Sequence, residues 1–113
     1  MANGVIIPST TENSKGLITP SITPTRNDLF RYAKRGNAVQ IYINNVSFGQ
    51  SMASDTKIGQ VPYKPLYLTR FLLYMNDGSI AIGNVREDNG NILISGYSSG
   101  KLLYGSFTYL TDE

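Results

Sequence analysis

A chain of 113 residues is about one domain long, and a domain of this size buries roughly two-thirds of its surface on folding, so one core is expected. Hydrophobic residues make up 41% and charged residues only 16%, against a usual ~25%, which excludes compositional disorder and points to a surface partly hidden in an assembly. The net charge of +2 is too small for a strong phosphate-binding footprint, and the chain has neither Cys nor His, so no nucleic acid, metal or cofactor is expected.

Residues 1–25 carry Pro8, Pro20 and Pro24 among many Ser and Thr, with apolar islands at Val5-Ile6-Ile7 and Leu17-Ile18. Such a segment cannot nucleate a helix and reads as an extended tether or an exchanged strand, leaving 26–113 as a β-domain. Its first residues lack the basic start and long apolar centre of a signal peptide. The longest nearly uncharged run, 61–75, contains Lys64 and Arg70 and falls short of the ~20 residues of a membrane-spanning helix, so no membrane insertion is expected.

Leu29 to Ala33 reads as a strand, with Lys34-Arg35-Gly36-Asn37 as the hairpin turn that follows it. From Ala38 to Phe48 the chain alternates, with Val39, Ile41 and Ile43 on one face and Gln40, Tyr42 and Asn44 on the other. Asn44-Asn45 breaks the alternation and predicts a bulge that returns Val46 and Phe48 to the core. A polar connection leads to a short strand, Lys57 to Pro62, which ends at a turn, Tyr63-Lys64, held between Pro62 and Pro65.

The run from Val61 to Leu110 has the signature of an antiparallel meander, with turns at Asn76-Asp77-Gly78, Asp88-Asn89-Gly90-Asn91 and Ser98-Ser99-Gly100. Its first strand, Leu66 to Met75, is apolar on both faces, although one side of an antiparallel strand is ordinarily wet. Either a second layer or another subunit covers it. The subunit is preferred in so small a chain, with Leu66, Leu68, Leu72 and Tyr74 as the interface. The closing strand, Leu102 to Leu110, sets Leu103, Phe107 and Tyr109 on one face. No long run has helical periodicity, so the chain is all-β with about eight short strands.

No catalytic motif emerges. The acids Asp77 and Glu87-Asp88 fall at opposite ends of one predicted strand, about 30 Å apart at ~3.3 Å per residue, too far for paired acid and base work. A serine nucleophile lacks a base, phosphate-cradling glycine motifs are missing, and the Asp88-Asn89-Gly90-Asn91 turn offers too few oxygens for calcium. An enzyme is not expected. The positive feature is eight Tyr and four Phe, since Tyr presents an apolar face and a hydroxyl suited to shallow saccharide recognition, although many of these residues simply fill strands. Tyr63, beside a loop, and Tyr97, beside Ser98-Ser99-Gly100, are the candidates for exposure, with Arg70 and Arg86 as added donors.

The order of segments resembles the C-terminal receptor-binding tip domains of tail fibres and head fibres of tailed bacteriophages. The matching residues are Tyr32, Lys34, Gly36, Asn37 and Val39, then Val61, Pro62, Tyr63 and Pro65, then Gly90, Ile92 and Ile94, and last Gly105, Ser106, Tyr109 and Leu110. The resemblance spans about 27–110. It implies a single antiparallel β-sandwich of jelly-roll type, assembled as a homotrimer and displayed on the surface of a virion, on tail or capsid, after synthesis in the host cytoplasm. It implies further that the N-terminal segment contacts other virion proteins and that the domain binds a bacterial surface glycan. The alternative is a structural capsid or tail decoration protein without receptor binding.

Overall fold

A computed structural model describes residues 13–113; the Val5-Ile6-Ile7 island and the start of the expected tether lie outside the described residues. Among the described residues there is no helix, and nine antiparallel strands form one nearly closed, barrel-like sheet. They are β1 (Ser14–Leu17), β2 (Thr19–Pro20), β3 (Arg26–Arg35), β4 (Ala38–Ser47), β5 (Thr56–Gln60), β6 (Thr69–Met75), β7 (Ile80–Val85), β8 (Asn91–Ser95) and β9 (Leu103–Leu110). The order across the sheet is β1-β3-β4-β9-β6-β7-β8-β5-β2.

The two outermost strands belong to one stretch of chain broken only at Ile18. β1 pairs with β3 and β2 with β5, while the Ile18 N–H donates to the Phe30 carbonyl and the Ser21 N–H to that of Ile58. The stretch thereby bridges both open edges, leaving no long unpaired strand there. It falls within the expected tether or exchanged strand, and its pairing is within the same chain. All nine strands are thereby joined in one continuous sheet. Opposite this bridge the sheet is thinly joined: β6 and β9 share only Tyr74↔Tyr104 and Met75↔Leu103, and beyond them stacked Phe71 and Phe107 rings, 3.8 Å apart, fill the gap.

Local chemistry explains the hairpins. The β3–β4 turn needs two residues, Gly36 and Asn37, because pairing runs out to Arg35↔Ala38 and Gly36 adopts φ 59°. Lys34, expected in that turn, is instead an inward strand residue. Asp28, expected before the first strand, lies within β3, bonded by Arg26 and Asn45. The bulge falls where the paired asparagines predict it: the β4–β9 register shifts between Asn44 and Val46, Asn45 has φ 52°, and Val46 and Phe48 are buried. At the β7–β8 turn Gly90 has φ 74°, and a Cβ there would lie 2.5 Å from the Val61 carbonyl oxygen. The expected strand Leu66 to Met75 begins only at Thr69; 61–68 is a loop closing one barrel end.

Val39, Ile41, Ile43, Leu73, Ile92, Ile94 and Leu103 fill the barrel, each essentially inaccessible to solvent. In β7 the inward residues ahead of Val85 are the small ones, Ala81 and Gly83, whereas Ile80 and Ile82 point outward. Packing causes this inversion: a Cβ on Gly83 would lie 2.3 Å from the Phe71 ring, so that aromatic occupies the volume a larger inward residue would need.

Candidate functional site

The barrel has two ends, and the expected site residues are divided between them. At one end the Thr111 N–H donates to Asn37, Leu66 to Leu110 and Val61 to Gly90, gathering the β3–β4 turn, the 61–68 loop, the β7–β8 turn and the C-terminus. At the other, Met52 bridges Tyr97, Gly100 bonds Phe48 and the Asn76 side chain accepts from the Leu102 N–H. Tyr63 and Arg86 lie toward the first end and Tyr97 at the second, so these residues do not form one site.

Tyr63 is half-buried and acts as a plug. Its hydroxyl meets the Ser14 hydroxyl at 2.7 Å, its carbonyl accepts from the Tyr109 hydroxyl at 2.6 Å, and its ring stands edge-on to Tyr32. Beneath it the Lys34 ammonium, buried inside the barrel, lies 5.3 Å from the ring centroid, within cation–π range. Burial pushes the Tyr109 hydroxyl far above the ordinary phenolic pKa, so it stays a protonated donor.

Tyr97 is not exposed, contrary to its polar neighbourhood in sequence: it is 2% accessible. Its hydroxyl accepts from the Phe48 N–H at 2.8 Å and donates to the Lys101 carbonyl at 2.7 Å, pinning the 48–55 connection to the 97–101 turn. This correction removes Tyr97 from any ligand surface. Arg70 and Arg86 do face outward near the first end: Arg70 pairs across to Asn84, and Arg86 follows two residues later, 3.8 Å from Asp88.

The residues expected at a subunit interface are the ones left uncovered. Leu72 is 51% and Tyr74 55% exposed on the outer face of β6, and Leu66 and Leu68 continue the apolar surface into the loop. β7 supplies their partners, which the sequence reading did not name: Leu72 lies opposite Ile82 and Tyr74 opposite Ile80, both about half exposed. Directly opposite residues on one sheet face stand within ~5.5 Å, so these four side chains form one patch. The usable signal was the order Ile-Ala-Ile-Gly, whose larger members share a face. Arg70 borders the same patch, so the expected saccharide donor and the expected interface occupy one surface.

The outer surface on β1, β3, β4 and β9 is polar at its centre, with exposed Leu17 and Leu110 toward its margins. Tyr42, Gln40, Ser106 and Thr108 form its centre, Tyr42 opposite Ser106 and Gln40 opposite Thr108. Among the described residues no group of three acids is placed to hold a metal ion. The outer surface thus sets an apolar patch on β6 and β7 apart from hydrogen-bonding rows on β4 and β9. No protein-family model matches the chain, and no curated protein matches it.

Proposed function

We propose that this chain is a non-catalytic virion module: a homotrimeric β-domain on a tail or capsid surface that recognises a bacterial surface saccharide, with the N-terminal segment contacting other virion proteins. The observation that carries the reading is the apolar outer patch of Leu72, Tyr74, Ile80 and Ile82. Covering a half-exposed Leu, Ile or Tyr is worth roughly 1 kcal/mol, so four such residues on each of three copies give association a substantial drive. The two-rung β6–β9 joint supports treating the halves of the sheet as a jelly-roll-type sandwich fused at its corners. The separation of Asp77 from Glu87 and Asp88 by the length of β7 supports a binding role over hydrolysis.

An array of bacterial envelope glycans, with intact host cells in parallel, tests recognition. Binding to a defined saccharide class is expected; retained virion attachment without cell or glycan binding refutes it. That second outcome is the architectural reading, a decoration protein without a receptor, which the burial of Tyr97 and the engaged Tyr63 hydroxyl favour. New reducing ends on incubation with envelope polysaccharide would refute the non-catalytic assignment.

A further inference from the structure

Positive charge is unevenly spread over the barrel. Four of the cations sit beside carboxylates: Arg26 with Asp28, Lys64 with Glu113, Arg86 with Asp88 and Lys101 with Asp77. Lys15, Arg31 and Arg35 enter no ion pair among the described residues, and all three are exposed. The register brings them together. Lys15 lies opposite Ala33, midway between Arg31 and Arg35 on the same outer face of β3. Diagonal neighbours on one face are roughly 7 Å apart, so Lys15 stands near both arginines while small Ala33 leaves a low floor between them.

We infer that this face of β1 and β3 binds an acidic saccharide, one bearing carboxylate or phosphate groups. The inference rests on the adhesin reading and gives its ligand a chemical class. Three neighbouring cations repel one another and gain from a shared anion, and guanidinium groups bind carboxylate and phosphate in bidentate fashion. The next strands supply what the rest of a sugar needs. Gln40 lies opposite Ala33 and Tyr42 opposite Arg31, and beyond them Thr108 and Ser106 add hydroxyls along the same rows. Nucleic acid is the poorer fit, because the net charge is only +2 and half-buried Tyr42 gives no platform for successive bases.

The test uses the full chain on immobilised polygalacturonate, phosphomannan and neutral dextran, with oligothymidylate as competitor and a bacterial envelope fraction in a parallel arm. Retention on an acidic polymer and not on dextran, weakening as salt rises, is expected. R31Q/R35Q should weaken it roughly tenfold or more, while R26Q/K101Q, which removes the same formal charge elsewhere, should change it less than about twofold. Equal losses in the two double variants, equal retention on dextran, or preferred binding of oligothymidylate would overturn the assignment. Envelope binding that survives R31Q/R35Q overturns this site and leaves the adhesin reading standing. A wild-type chain that ignores the envelope refutes that reading, and the polymer arm alone then decides the site.

Discussion

Replacing Ile18 by Ala tests how the barrel is closed. Ile18 is 1% exposed, and in the Ser14–Pro20 stretch it is the single deeply buried hydrophobic side chain; neighbouring Leu17 is 64% exposed. Its Cγ2 fits against Gly59, where a Cβ would come within 2.9 Å, with the Phe30 ring at 3.0 Å from the same point. The substitution removes three buried carbons at about 0.8 kcal/mol each, and the cavity between two strands adds to that, giving about 3 to 4 kcal/mol. Because β2 contributes only two rungs, the loss should appear first as opening of this stretch rather than of the whole barrel. Urea unfolding measures the global loss, and amide exchange at residues 14–20 measures the local one. L17A should cost less than about 0.5 kcal/mol. A cost below about 1 kcal/mol for I18A, with exchange protection at 14–20 intact, would refute Ile18 as the latch.

Three further substitutions probe particular contacts. G83A should destabilise by about 1 to 3 kcal/mol in urea unfolding, because the new methyl collides with Phe71 and disturbs its stack on Phe107. Y97F should cost about 2 kcal/mol by leaving the buried Phe48 N–H without its hydroxyl acceptor, and should leave retention on any saccharide unchanged. Asp77 is held at a pKa of about 2, chiefly by the Ser79 hydroxyl and then by the Ser79 N–H. A depressed folded value means that its contribution to stability is full above pH about 4 and fades as pH falls toward about 2. In S79A the Asp77 carboxyl, followed by NMR titration, should move back toward 3.8; an unchanged value would contradict this assignment.

Much of the fold is legible in local sequence. Gly36-Asn37, Asn76-Asp77-Gly78 and Asp88-Asn89-Gly90-Asn91 mark turns because a reversal needs those backbone conformations, and the paired asparagines at 44 and 45 mark the bulge. What escaped local reading depends on distant partners. Lys34 reads as a turn residue until Tyr63, from a loop far along the chain, supplies a ring over its ammonium. Tyr97 reads as exposed because Ser98-Ser99-Gly100 follow it, yet the Phe48 N–H and the Met52 bridge draw it inward. Ile80 and Ile82 face outward only because Phe71 has already taken the space beneath Gly83. The near closure of the sheet escapes local reading as well, because one N-terminal stretch pairs with both β3 and β5, a link no local pattern encodes. The apolar face of Leu72 and Tyr74, by contrast, is visible in the double-sided apolarity of that run.

The central claim, that this outer face is covered by copies of the same chain, is tested most directly by the mass of the protein in solution. Light scattering on the eluting peak should give three times the 12.4 kDa of the chain, falling to the single-chain value in L72D while the far-ultraviolet dichroism keeps its strand signature. A wild-type mass of 12.4 kDa across the accessible concentration range, or an L72D variant that loses stability without any change in mass, would contradict it.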